Sequence, residues 1–231
     1  YEDQLKKLPK RELFILEVEE KMMNIIADQE YWGVRVDMDT LKKGKENTEY
    51  CLSMLENIIH KMLRKSLKLT SGTEVGLTLY DEMHCPVLAR TSTGKPSTGS
   101  ATLKKLAGIK KENPTEIVKE NITDKYNNIL VKKDALNASK YPIIHLLLAH
   151  KDHSKLNSAF YNRIVRNSVA GSETTKKTCY RYYFWVNGNG AESGRQSSPL
   201  HQLPPQIKNG ILSDSEDHWL VDTDYAQVEL R

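Results

Sequence analysis

The sequence predicts an α+β chain with long helices first and short strands last, and two observations carry the prediction. Apolar residues recur at helical spacing in long stretches up to Val165. The aromatic, strand-prone segment TCYRYYFWV begins only at Thr178.

The elements follow in order. From Arg11 to Gln29, the residues Phe14, Ile15, Val18, Met22, Ile25 and Ile26 keep a helical period, which Gly33 and the alternating Val34 and Val36 interrupt. Asp39 is suited to cap a second helix, whose stripe of Leu41, Leu52, Leu55, Ile58, Ile59, Met62 and Leu63 runs to about Lys65. So long a helix suits a projecting hairpin. Tyr141 to Val165, bearing Ile143, Ile144, Leu146, Leu147 and Leu156, would supply its antiparallel partner. These stripes, with their methionines and Tyr50, read as packing surfaces rather than cofactor contacts. Thr178 to Val186 reads as a strand, with Asn187-Gly188-Asn189-Gly190 as the turn after it. Its aromatics fit packing within a sheet, and they also fit stacking on bases.

Composition bounds the setting. With 231 residues, 39% hydrophobic and 28% charged, the chain can form one or two domains with a real core. No apolar run approaches the roughly 18 residues of a spanning helix, and the start YEDQLKKLPKRE is unlike a signal peptide, so no membrane partner and a cytoplasmic location are expected. Cys51, Cys85 and Cys179 are far apart and odd in number, which makes free thiols the expectation. His145, His150, His153 and His201 reproduce no metal-ligand spacing.

The net charge of +4 identifies no partner, but its distribution is uneven. Arg90, Lys95, Lys104, Lys105, Lys110 and Lys111 occupy a stretch without an acid, interleaved with Ser, Thr and Gly. Lysines, small hydroxyls and open backbone amides grip phosphates without reading sequence. A solvated loop and helix face is the other reading of the same residues.

The densest chemistry lies in Asp222 to Arg231, DTDYAQVELR, entered from the apolar Trp219, Leu220 and Val221. On a strand, Asp222 and Asp224 would aim both carboxylates to one side, a hard-oxygen pair suited to magnesium and a phosphate-bearing substrate. Taken alone, Asp-x-Asp also fits a solvated strand end or a helix N-cap. The residues that follow resemble motif A of the family A DNA polymerases, the bacterial DNA polymerase I class, whose usual form is Asp-Tyr-Ser-Gln-Ile-Glu-Leu-Arg. Asp224, Tyr225, Gln227, Glu229, Leu230 and Arg231 match it, while Ala226 and Val228 replace Ser and Ile. Asp222 has no fixed counterpart there.

The resemblance extends upstream in the family's order. Gly194 to Pro204, GRQSSPLHQLP, is similar to the Gly-Arg-x-Ser-Ser to Leu-Gln-Asn-Ile-Pro stretch, shortened here. Thr91 to Gly108 is similar to the thumb-tip loop and helix, Leu67 to Met83 to the segment before it, and His145 to Ile164 to the helix returning from the thumb. The implied fold is a mainly helical thumb, a long antiparallel helix pair with a tip loop, plus the first strands of an antiparallel palm sheet. The implied boundaries are an entry helix and connector at 1–39, thumb at 40–165 and palm at 166–231.

The family's roles fall on matching positions as expectations. Asp224 is the catalytic carboxylate and, with the Tyr225 carbonyl, holds two Mg2+ ions. Gln227 and Glu229 contact the incoming deoxynucleoside triphosphate, with Glu229 excluding a 2′ hydroxyl. Arg195, His201 and Gln202 face primer-template DNA, although His201 departs from the family pattern. Thr70, Ser71, Lys95, Ser97, Thr98, Lys155, Asn157 and Ser158 grip the DNA from the thumb.

Because the sequence stops at Arg231, the fingers and the His-Asp-Glu motif are expected to lie outside it, in cis or on a separate chain. Such a piece should bind DNA without polymerising alone. The competing reading is a non-catalytic DNA-binding accessory protein or one half of a split polymerase. The added stretch Ile109 to Lys140 and the polar loop Ser172 to Thr178 suggest a divergent, phage-like source in a bacterial cell.

Overall fold

A computed structural model describes residues 9–108, 120–171, 179–188, 197–215 and 217–221. The chain divides into two compact units, residues 1–42 with 163–231, and residues 43–162. The first unit opens with α1, Lys10–Trp32. It stops at Gly33, where φ is +59° and a Cβ would stand 2.7 Å from the Tyr182 carbonyl oxygen, so the approach to that backbone requires glycine. β1, Val34–Val36, follows directly.

Next comes α2, Met38–Leu63, whose first turn is capped by Asp37 and not by Asp39. Asp37 Oδ1 accepts from the amides of Asp39 and Thr40 at 3.0 and 3.1 Å. The reason is positional: Asp37 precedes the helix and can reach its unpaired amides, whereas Asp39 already lies inside the first turn.

In the second unit the stripe of α2 contributes Cys51, Leu55 and Ile59, all 0% exposed. A short helix, α3 (Gly72–Gly76), runs into a π-helical turn, Leu77–Glu82. α4 is Ser100–Ala107. β2 (Ile122–Thr123) and β3 (Ile129–Val131) pair antiparallel, and α5, Lys133–Ala138, follows. α6, Ile143–Lys155, passes through a second π-helical turn, Leu156–Tyr161, into α7, Asn162–Asn167. The helix expected from Tyr141 to Val165 is therefore a helical run with a widened turn inside it.

These elements share one core, in which Leu55, Ile59, Leu79, Leu103, Leu106, Ile144 and Leu146 are fully enclosed. Gly44 admits Tyr161 against α2, since any Cβ there would collide with the phenol ring. The described part of the added stretch joins the same core through Ile122, Val131 and Leu136.

The first unit resumes with β4 (Ser168–Gly171) and β5 (Cys179–Tyr182), a 3-10 turn at Pro199–Gln202, α8 (Pro205–Lys208) and β6 (Ile211–Leu212). Its antiparallel sheet has the order β4-β5-β1-β6, with Val36 paired to Tyr180 on one side and Ile211 on the other. Val36, Leu41, Ile164, Tyr182, Leu203 and Ile207 gather into its core.

One strand expectation is corrected. The aromatic strand ends at Tyr182, which is buried, and the Tyr183 and Trp185 beyond it are 44% and 52% exposed. Trp219, Leu220 and Val221, which lead to Asp222, are exposed and belong to no strand among the described residues. Among the described residues the three cysteines form no disulfide, and all three are buried. No helix among the described residues is long and apolar enough to cross a membrane.

Candidate nucleic-acid interface

The candidate site is built in the second unit, on the stretch expected to form the thumb tip. Residues 89–97 fold back as a tight hairpin in which the Ser97 amide donates to the Ala89 carbonyl at 2.9 Å and the Thr91 amide to the Lys95 carbonyl at 2.8 Å. Gly94, at φ +78°, supplies the left-handed residue that this turn needs. Arg90 spends its guanidinium inside the hairpin, donating to the Gly94 carbonyl at 2.8 Å. Lys95 is left exposed on it.

Ser97 joins the hairpin to α4. Its Oγ accepts from the Gly99 amide at 3.3 Å and meets the Thr102 hydroxyl at 3.2 Å. Beside this junction lies a groove of about 490 Å³, lined among others by Gly72, Gly76, Tyr80, Asp81, Lys95 and Thr98. The glycines face Thr98, and with no side chains they leave the groove wall bare.

Two anchors hold the junction from within. The Tyr80 hydroxyl donates to the Ser97 carbonyl, and the Lys151 ammonium donates to the next carbonyl, that of Thr98, at 2.7 Å. Burial pushes the Tyr80 phenol up and pulls the Lys151 ammonium down from their ordinary ranges.

No family model matches the chain. It is 25% identical to DNA polymerase I of Bacillus subtilis over 224 residues, which are 93% of this chain and 21% of that protein. DNA polymerase I of Geobacillus stearothermophilus is 26% identical over 94% of the chain and 21% of its own length, and that of Pseudomonas aeruginosa 28% identical over 98% and 22%. Over nearly its whole length the chain is similar to bacterial DNA polymerase I. It spans about a fifth of the length of these relatives. A solved structure of the POL domain of Pol1 from M. smegmatis, in complex with DNA primer-template and dNTP, matches in fold. The TM-score is 0.57 at 18% identity, over 80% of this chain and 28% of that one.

Against the polymerase I pattern, the expected thumb residues divide. Lys95, Ser97 and Thr98 come together at the tip groove and its junction. Thr70 is exposed, while Ser71 caps α3, its Oγ accepting from the Glu74 amide at 3.3 Å. Lys155 ends α6 and is exposed. Asn157 and Ser158 lie in the second π turn; Ser158 Oγ donates to the Ser154 carbonyl at 2.7 Å, and the buried Asn157 Oδ1 has no hydrogen-bond partner among the described residues.

Of the residues expected at the primer terminus, His201 and Gln202 are exposed on the 3-10 turn. His201 Nδ1 accepts from the Ser198 amide at 3.1 Å, so that nitrogen is committed to closing the turn. Arg195, and the motif A residues Asp224, Tyr225, Gln227 and Glu229, lie outside the described residues, and with them the two-magnesium expectation. Among the described residues no group of three or more His, Cys, Asp or Glu is placed to hold a metal ion. Sequence reading missed Tyr80 and Lys151. The one available signal was that Lys151 stands four residues before Lys155, on the same helix face.

Proposed function

We propose that this chain is the thumb and first palm strands of a DNA-directed DNA polymerase, one that extends a primer with deoxynucleotides in replication or repair. The tip groove carries the reading. Its lining offers a lysine, threonine hydroxyls and bare glycine backbone beside the single carboxylate of Asp81, and no Asn, Gln or Arg side chain that would read base edges. That chemistry suits a backbone of any sequence, as a polymerase requires. The similarity of nearly the whole of this chain to a fifth of DNA polymerase I supports it, as does the fold shared with a Pol1 domain that holds primer-template and dNTP.

In this reading residues 43–162 grip the duplex, and the first unit carries the start of the catalytic palm. Asp224 and the Tyr225 carbonyl would hold magnesium, an assignment that fits their hard oxygen donors. The chemistry supplied by magnesium bound there is Lewis-acid activation of the primer 3′ hydroxyl and neutralisation of the triphosphate. Glu229 would close the sugar site to a 2′ hydroxyl, with Gln227 beside it. Arg195 would test the minor groove, where acceptors occupy similar places in every correct pair.

The test is binding of a primer-template duplex across a salt series. Lys95→Ala and Lys155→Ala should each flatten the slope of log K against log salt by roughly 0.9. Slopes identical to wild type would sink the assignment. For catalysis, the chain is supplied with fingers and the rest of the palm, in cis or as a second chain. Asp224→Ala should then abolish primer extension, whereas an accessory DNA binder would be indifferent to it.

A further inference from the structure

The tip junction is held by two side chains that the phosphate-gripping reading does not use. Ser97 and Thr98 are consecutive, and both of their carbonyls are tied inward, Ser97 to the Tyr80 hydroxyl and Thr98 to the Lys151 ammonium. The two anchors come from different elements: Tyr80 from the π turn after α3, and Lys151 from the middle of α6. Tyr80 is 8% exposed and Lys151 half-buried, so neither head group is displayed at the surface as Lys95 is. Lys151 forms no salt bridge with a described acid, and its one described hydrogen bond goes to the Thr98 carbonyl. A charged donor on a neutral carbonyl is worth more than a neutral pair and costs more to lose. The chain thus commits a lysine charge and a buried phenol to fixing two peptide units.

What those peptide units fix is the presentation of Lys95, Ser97 and Thr98. With both carbonyls turned into the unit, Thr98 stays against Gly72 and Gly76 on the groove wall, and Lys95 keeps its place two residues before the first anchored carbonyl. We infer that Tyr80 and Lys151 are positioning residues for DNA binding, acting through the Ser97–Thr98 peptides, on whose carbonyls the Tyr80 hydroxyl and the Lys151 ammonium are spent. This rests on the polymerase reading of the tip. It differs from that reading in one respect: Lys151 stands on the same helix face as Lys155, yet its charge is spent internally.

The experiment uses the whole 231-residue chain and a short primer-template duplex, measuring affinity across a salt series together with the thermal midpoint. Lys151→Met keeps the aliphatic stem and removes the donor, and Tyr80→Phe removes only the hydroxyl. Each should weaken binding roughly five-fold, while the salt slope stays at the wild-type value, because no phosphate-bound cation has been lost. Lys151→Arg, which restores a donor, should recover most of the affinity.

Three results would overturn the inference. Unchanged affinity in both variants would show that the anchors do not matter for binding. A slope flattened by about 0.9 in Lys151→Met would make Lys151 a phosphate contact itself. No salt-dependent binding by the wild-type chain would remove the polymerase reading and this inference with it, an outcome distinct from the other two. If Lys151→Met lowers the thermal midpoint enough to compromise folding, Tyr80→Phe decides alone.

Discussion

The two units treat apolar surface in opposite ways. In residues 43–162 the apolar stripes of α2, α4 and α6 meet in one core, and Leu55, Leu103 and Leu146 are each 0% exposed. In the other unit α1 is just as rich in large apolar residues, yet Phe14 is 66%, Met23 70% and Trp32 61% exposed. Among its described side chains only Glu19, Met22, Ile26 and Glu30, at helical spacing, are partly covered, and Glu30 accepts a hydrogen bond from the Val186 amide at 2.6 Å. The contrast shows that apolar content alone does not tell where a helix is anchored. Burial does, and the second unit carries its own.

That contrast is broken or kept by a pair of truncations, which carry the largest expected effect. Leu146→Ala leaves a cavity in a closed core and should cost about 2–5 kcal/mol in chemical denaturation. Phe14→Ala removes a ring already in water and should change stability by no more than about 0.5 kcal/mol. Equal losses would mean that α1 is packed in solution and that the two units do not differ in the way described.

A smaller effect sharpens the account of the second unit's added stretch. Asp124, 7% exposed, closes the β2–β3 hairpin. It accepts from Asn47 Nδ2 at 2.9 Å, Asn128 Nδ2 at 3.0 Å, and the amides of Tyr126 and Asn128 at 2.8 Å each. Burial pushes its carboxyl up, but these donors outweigh burial and hold it at about 2, below the ordinary 3.8. The folded value is depressed, so the contribution is complete above pH 3.8 and is lost as pH falls through 2. Asp124→Asn should therefore cost about 2 kcal/mol near neutrality. Urea melts at pH 7 and near pH 2 check this, and a deficit that persists undiminished at the acid end would assign the loss to packing instead of charge.

How much of this was legible beforehand depends on what each feature needs. The long helix α2 and its stripe were readable from spacing, because a 3.6-residue period is a local property. Its cap was misplaced by two residues, since Asp37 and Asp39 are both good caps and only the backbone tells which one stands outside the helix. Whether Asp222 and Asp224 share a strand depends on a ladder partner that no local pattern supplies, and both lie outside the described residues. Lys95, Ser97 and Thr98 were singled out through the family resemblance, and the structure brings them to one groove and its junction. Lys151 was not found, because whether an ammonium meets solvent, a phosphate or a carbonyl is decided by where a loop 53 positions away comes to rest.

The smallest expected effect concerns pH and should be confined to the buried interior of the second unit. His150 is 7% exposed in α6, and burial is the main influence pulling its imidazole below 6.5. The groups acting on it include Glu56, which pushes the other way, and His153, His60 and Lys151, which add to the lowering. Burial likewise lowers His145 on the same helix, opposed by a bond with the Ala107 backbone. A histidine whose folded value is depressed favours the fold fully above its unfolded value of 6.5, and loses that contribution as pH falls through the lower folded value. The thermal midpoint of the wild-type chain should therefore drop between pH 7 and pH 5, and His150→Gln, which cannot be protonated, should drop less over the same interval. What is compared is the slope with pH, since the substitution itself costs something at every pH. If both proteins lose the same number of degrees, His150 is not the buried group being charged, and the acid sensitivity lies elsewhere in the chain.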